Sequence, residues 1–564
     1  MKNLYIALSF VVISITVSAQ NKNTKIADKL FARFEYVDAV KEYQKLIENG
    51  KADPYVYKQL ADANYNMFNS AEAIKWYKKA TETQQDAETY YRYAQMLKAN
   101  GKYEEANKQM QKFAAAAPSD LRAKAFNENP NYIPSLLDKT KLFDVKSSEI
   151  SSDKSDFGAV LYDNSLYFAS ARNGARKNYG WTEEPFLDIY KADYNTDGTI
   201  TNASPVTELN SKWHDGPITI SADGKTAYFA SESYKEKQSS PKDKKANAKY
   251  SQVYLFSATK NGDSWGTPSS LPFNDKSFSN SNPSLSRDGK TLYFASDMPG
   301  GYGGADLYKV TINGDGTYGK PENLGKEINT EGQEMFPWFN GKGDLFFSSN
   351  GHIGLGGLDV FVMETTEGAE LQNVGMPVNS QSDDFAFTMN KDNLTGFFSS
   401  NRAGGKGDDD IYSYTLIKPI KKQLWIVGIA RDAATGQMLV NANVDLLNEK
   451  GVVVGTVKSD NSGSYTFKVD TNSDYVVAVS GVEKKQNNQR SVTTKNIADE
   501  VTVINGDVIL EKEFELFMYC LVTDSKSLLP LEGVKITVTN NETNSVFIDQ
   551  LTSKTGDAEK EIEG

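Results

Sequence analysis

One phrase recurs five times between residues 166 and 400, and it leaves the chain few ways to fold. It reads LYFAS at 166–170, AYFAS at 227–231, LYFAS at 292–296, LFFSS at 345–349 and GFFSS at 396–400. A second phrase follows each copy: DIYKA at 188–192, QVYLF at 252–256, DLYKV at 306–310, DVFVM at 359–363 and DIYSY at 410–414. The first two copies carry insertions between the phrases. Turns such as SADGKT, SRDGKT and NGKGDL precede three of the first phrases. Alternating apolar residues bounded by such turns predict antiparallel strands. A third phrase ends each unit: TELNS at 207–211, LPFND at 271–275, KEINT at 326–330 and MPVNS at 376–380. Its degenerate fifth copy, SEISS at 148–152, lies before the first unit. That offset predicts that an N-terminal strand completes the last unit, closing a ring without an open edge. Five copies over 142–417 predict a five-bladed β-propeller.

The repeat also disposes of a catalytic motif. Gly262-Asp263-Ser264-Trp265-Gly266 fits G-x-S-x-G, the nucleophile elbow of α/β-hydrolases. Yet NGDSWGTPSSLPFN (261–274) aligns with NGDGTYGKPENLGKEIN (313–329), so Ser264 falls in a hairpin turn with no helix behind it. The two histidines, His214 in KWHDGP and His352 in NGHIGLGG, lie in no hydrolase-like context. No catalytic residue is expected, and hence no enzyme. The loops GGYGGADLY (300–308) and GGKGDDDIY (404–412) offer oxygen ligands for calcium. The plainer reading is that their Asp caps a turn and repeats because the blade repeats. Neither metal nor cofactor is expected.

Residues 24–117 have another period. Ala27, Ala61 and Ala94 are spaced by 34 and 33, as are Ala39, Ala73 and Ala106. Tyr43 and Tyr77 follow four residues later, with Met110 in the third copy. Small residues there let two helices approach, and the larger ones fill the space against the next pair. The spacing resembles tetratricopeptide repeats, whose stacks hold peptides or proteins in a concave groove. That resemblance implies groove positions at Tyr55, Lys58, Asp62, Tyr65, Tyr91, Gln95 and Lys98. The plainer reading makes them surface residues of a spacer.

With 564 residues the chain exceeds one core. A net charge of −12 without a basic stripe argues against nucleic acid. The Lys-rich stretch 234–250 reads as a solvated loop. Cys520 is the single cysteine, so no intrachain disulfide forms, and FMYCLVT reads as a strand with a buried thiol. Lys2, an apolar run to Val17 and the ending Val17-Ser18-Ala19 predict a signal peptide over 1–19. No later stretch is long and apolar enough to span a bilayer.

After Pro419, strands and turns around Thr435-Gly436 and Gly463-Ser464-Tyr465 resemble a carboxypeptidase regulatory-like domain. That is an immunoglobulin-like β-sandwich, expected over 424–512. A second copy begins at Phe514, with SKTGDAE in the place of SDNSGSY. It reaches Gly564 without the hairpin that completes such a sandwich, so the sequence is expected to be incomplete there.

The SxDGKxxYFAS…DLY signature resembles TolB-type propellers. The order of modules resembles PorE-like, OmpA-family envelope proteins of type IX secretion and gliding. The expected fold class is therefore multidomain: all-α tetratricopeptide hairpins and linker over 20–141, a five-bladed propeller over 142–417, a sandwich over 424–512 and an incomplete sandwich over 514–564. The resemblance implies a periplasmic, outer-membrane-associated scaffold. Its partners would be envelope proteins and, through an OmpA-like domain not present here, peptidoglycan. A glycan-binding protein, with aromatic loops such as that around Trp181, and a propeller-containing hydrolase are the alternatives.

Overall fold

The structure is a computed structural model. It describes residues 23–137, 141–244, 246–364, 370–418, 424–433, 435–469, 473–480, 485–486, 488–497, 501–512 and 516–562. The expected signal peptide lies outside them. Two compact units divide the chain, Met1–Ile420 and Lys421–Gly564.

In the first unit, five antiparallel sheets stand around an axis. Their inner strands are Asp156–Tyr162, Asp215–Ile220, Asn280–Leu285, Glu334–Phe339 and Asp384–Met389. Each packs on the next, and the fifth on the first, so the ring is closed. The strand Phe143–Ser147 pairs with Asp410–Leu416 as the outermost strand of the fifth blade. Closure is thus carried by main-chain hydrogen bonds between the two ends of the ring, as the early SEISS copy implies.

The recurring phrases are packing devices. The Phe of each first phrase lies directly opposite an aromatic of the second: Phe168 and Tyr190, Phe229 and Phe256, Phe294 and Tyr308, Phe347 and Phe361, Phe398 and Tyr412. All five pairs stack, with centroids 5.4–6.1 Å apart. Cross-strand aromatic pairs of this kind contribute roughly 0.2–1 kcal/mol each beyond their burial. Arg172, Lys235 and Arg402 lie over the pairs of blades one, two and five. The same cations pair with the acid that opens the inner strand: Asp156, Asp215 and Asp384. The third phrase is a clamp. The side-chain amides of Asn210, Asn274, Asn329 and Asn379 each bond both the N–H and the C=O of one strand residue, Ile189, Leu255, Leu307 and Val360. In the SEISS copy, the Ser151 hydroxyl takes this place against Ile411.

Eight helices precede the ring among the described residues: α1 Lys25–Phe31, α2 Tyr36–Glu48, α3 Pro54–Asn66, α4 Ser70–Ala80, α5 Ala87–Lys98, α6 Tyr103–Ala116, α7 Leu121–Glu128 and α8 Ile133–Leu137. Asp53, Asp86 and Asp120 cap α3, α5 and α7 by accepting from N–H groups of the first turn. Ala27, Ala39, Ala61, Ala73, Ala94 and Ala106 are all buried where helices meet. The Tyr43 hydroxyl donates to Asp28 and that of Tyr77 to Asp62.

The expected fold class is nonetheless corrected. Of the described residues, 38% are strand and only 17% helix. The helices form no all-α tetratricopeptide domain of their own: they share one compact unit with the ring. The reason lies in the third copy, where Met110 replaces the tyrosine and Gln95 the aspartate. Gln95 has no tyrosine hydroxyl to accept from, and its amide donates to the Tyr91 hydroxyl and to the Asn350 carbonyl of the ring. Alanine spacing does not reveal that.

In the second unit, one sheet carries Ser464–Val469, Leu424–Asp432, Val508–Lys512 and Lys485–Gln486 in that order, with Val503–Asn505 also on Leu424–Asp432. The other carries Val453–Lys458, Asn443–Asn448, Asp474–Ser480 and Gln489–Thr493. Ile426, Val444, Val477, Val479 and Leu510 are buried in their shared core. Beyond them, Leu516–Leu521 pairs with Asp557–Ile562, and Lys535–Thr539 with Val546–Leu551. Cys520 is half-exposed there, not buried as expected.

Candidate functional site

The blade acids open the inner strands on one face of the ring, and most are consumed within their blades. Asp306 and Asp410, in the two loops considered for calcium, accept from N–H groups of the preceding turn. They act as turn caps. Among the described residues, no group of three His, Cys, Asp or Glu side chains is placed to hold a metal ion.

A second set of acids is hydrogen-bonded but carries no cation among the described residues. Asp383, Asp408, Asp409 and Glu184 gather where the fifth blade meets the first. The Asp383 carboxylate accepts from the Leu358 N–H at 2.7 Å and the Asn401 amide at 3.2 Å. Glu184 accepts from the Ser155 N–H at 3.1 Å, and the Asp409 carbonyl accepts from the Asp156 N–H at 2.8 Å. Among the described residues, no Lys or Arg side chain forms an ion pair with any of the four, whereas Asp156 and Asp384 next to them each hold an arginine. Burial pushes Asp383 up to about 7, opposed by the Leu358 N–H and helped by the charge of Asp384. Burial pushes Asp409 up to about 8, with Asp408 and Asp383 adding repulsion. Asp408 is raised too, by burial and then by Glu184.

Beside the acids, three rings close the axis. Phe336 and Phe385 are 5.1 Å apart, Phe157 and Phe385 5.8 Å, and Phe157 and Phe336 6.4 Å. Each inner strand slips register near its start, and Asn282, Phe336 and Ala386 take positive φ there. These bulges turn side chains inward. Behind the rings, the space lined by Gly158, Pro217, Asn282, Phe336, Ala386 and Thr388 amounts to about 30 Å³, the share of a single water. The candidate site is the place where these rings and the acids meet at the starts of the inner strands.

The helices roof it. A Cβ on Gly357 would lie 2.9 Å from the Phe68 ring and 2.1 Å from Asp383 Oδ1, so Phe68 abuts the acids. The seven expected groove residues belong to this roof. Tyr55 donates to Asp28, Lys58 to Asp62, and Asp62 also accepts from Tyr77. Tyr65 lies under the Arg92 guanidinium. Tyr91 and Gln95 both donate to the Asn350 carbonyl, and Lys98 donates to that of Gly354 at 3.3 Å. The last three are therefore occupied by the chain's own propeller.

The two blade insertions serve the same contact. In the first, Trp181 stacks on Phe34, meets Tyr36 edge-on and donates to the Asn66 carbonyl. In the second, the Lys-rich stretch expected to be a solvated loop buries Ala246. The carbonyl of Ala246 accepts from Arg33, and the Tyr250 hydroxyl donates to the Ala32 carbonyl.

The motifs weighed for catalysis lie elsewhere. Ser264 is exposed in a turn beside the short pairing of Ser264–Trp265 with Lys260 and Asn261. His214 packs between Tyr179 and Phe186 and accepts from the Leu187 N–H. His352 lies over the Phe347–Phe361 pair, where other blades carry a cation, and bonds the Ile328 carbonyl. Burial holds both imidazoles down at about 4. The acids of the site were missed, although the repeat carries the signal. SDD at 382–384 and DDD at 408–410 each place extra aspartates before the acid that most other blades use for structure.

No family model and no curated protein matches the chain. Solved structures do align with it. A thermostable family-43 glycoside hydrolase is 10% identical over 56% of this chain and 99% of its own, with a TM-score of 0.31. The α-L-arabinofuranosidase of Lactobacillus brevis is 14% identical over 49% and 90%, at 0.28. A puromycin-hydrolyzing peptidase of Mycobacterium tuberculosis is 12% identical over 59% and 44%, at 0.27. The expectation that the chain is not an enzyme finds no support here: the aligned structures named above are a glycoside hydrolase, an arabinofuranosidase and a peptidase. Likenesses this distant transfer no chemistry. The tetratricopeptide, OmpA-family and type IX secretion expectations likewise find no support among the aligned structures named here.

Proposed function

We propose that this site binds a glycan. One observation carries the reading: Asp383 and Asp409, beside three clustered aromatic rings, hold protons up to about 7 and about 8. A carboxyl that titrates near neutral pH both donates to and accepts from hydroxyls, while an ionised one only accepts. Aromatic rings with a few converging polar groups are the usual make-up of a small-ligand site. Docking of a protein in the helical groove is not part of this reading, because Tyr91, Gln95 and Lys98 already hold the ring. The leader-like start at 1–19 makes an exported location part of the proposal.

The acids also favour a second reading, glycosidic hydrolysis. A carboxylic acid kept protonated at neutral pH beside another carboxyl is the arrangement that protonates a leaving oxygen. Asp409 would be the acid and Asp383 its partner. The test is a glycan array probed with the full chain and with Asp383→Asn and Asp409→Asn, followed by nitrophenyl glycoside assays. Retention of a glycan by the full chain and its loss in both variants supports the site. No retained glycan overturns it. Turnover abolished by Asp409→Asn selects the second reading.

A further inference from the structure

We infer that the first two helix pairs form a lid over this site, released at the Trp181 and Tyr250 contacts and hinged at the far end of the helical segment. The helices stand on the ring at two feet. At the far foot, Tyr91, Gln95, Lys98 and Arg122 are all buried. Glu331 accepts from the N–H of Leu121 at the start of α7. From α8, a few residues lead into Phe143–Ser147, a strand of the ring itself. This foot cannot leave without opening the propeller. The near foot buries Tyr36 and Ala246, but its other contacts are more open. Phe34 is 40% exposed, Trp181 and Tyr250 are half-buried, and the Lys41–Glu183 ion pair is exposed. No strand of the ring joins it. Elements held by few buried contacts are those that open locally.

The turns at the near foot are also strained. Phe34, Phe68 and Gly101 occupy the same place in successive helix pairs, with φ of +60°, +52° and +67°. Glycine takes such angles freely, whereas a bulky residue there is strained. The third pair uses glycine at the fixed foot. The first two place phenylalanine where its ring can reach the propeller, Phe34 on Trp181 and Phe68 on the acids.

The lid's purpose rests on the glycan reading, but its motion does not, and the two fail separately. Gly180 faces Glu35 such that a Cβ there would lie 3.5 Å from the Glu35 Cβ. That spacing suits a disulfide. The experiment uses Glu35→Cys/Gly180→Cys in a Cys520→Ser background and reads amide hydrogen exchange with and without reductant. The oxidised protein should exchange at least about tenfold more slowly at residues 32–36 and 381–383 than the reduced protein, with residues 91–98 unchanged. Trp181→Ala, which needs no disulfide, should speed exchange at the same two stretches and spare 91–98. Equal exchange at 381–383 in oxidised and reduced protein overturns the lid, as does unchanged exchange there in Trp181→Ala. Slowed exchange with no glycan retained by the reduced protein leaves the lid and removes the glycan.

Discussion

The indole of Trp181 donates to the main-chain carbonyl of Asn66, 2.8 Å away. Asn66 is the last residue of α3, where carbonyls have no partner within the helix. A blade insertion thus caps a helix 115 residues earlier in the chain. Trp181→Phe keeps the stacking on Phe34 but leaves that carbonyl to water. It should cost the helical segment about 1 kcal/mol, and Trp181→Ala clearly more. Denaturant titration followed by helical circular dichroism, with limited proteolysis between residues 23 and 137, reads both. Equal stability of the two variants would show that the ring stacking contributes nothing.

Phe34 sets strain against docking, so its replacement should change sign with context. In the wild type, Phe34→Gly loses the stack on Trp181 and the edge contact with Tyr250. In Trp181→Ala, little stacking remains to lose and the relief at φ +60° is left. Phe34→Gly is expected to destabilise the first and stabilise the second. A coupling of about 1 kcal/mol between the substitutions is expected from a double-mutant cycle on denaturant midpoints.

The asparagine clamps make the propeller's third phrase a stability element. Asn329 is fully buried, and its amide bonds both the N–H and the C=O of Leu307. Asn329→Ala strands both groups in the core. The expected loss is about 2–4 kcal/mol, read from denaturant unfolding of the first unit. Ser264→Ala, in an exposed turn, is expected to leave the same curve unchanged.

Much of the ring was legible because each recurring letter does one physical task in every blade. The stacked pairs, the clamps and the closing strand all follow from aligning five copies. What stayed hidden was the meeting of distant segments. Trp181 reads as a free aromatic loop and 234–250 as a solvated one, because the helix turns they hold are more than a hundred residues away. The groove at Tyr91, Gln95 and Lys98 reads as free for the same reason. The extra aspartates at 383 and at 408–409 were visible as departures from the repeat, and the fifth blade's own pairing, Asp384 opposite Ser400 and Ser400 opposite Asp410, brings them to one end of one sheet.

That placement predicts how pH acts on the first unit. The folded-state values of Asp383 and Asp409 are raised by burial above those of an exposed aspartate, to about 7 and about 8. Between about pH 4 and 8 the folded chain therefore holds protons that the unfolded chain has released, and stability falls as pH rises. Glu334, which no lysine or arginine pairs among the described residues, is raised to about 7 and acts in the same direction. Asp409→Asn cannot ionise, so it removes one part of this slope. Its melting temperature should exceed that of the wild type more at pH 8 than at pH 5. Thermal unfolding at the two values checks this. A wild-type advantage that grows towards pH 8 would mean that Asp409 is ionised and paired in the folded protein.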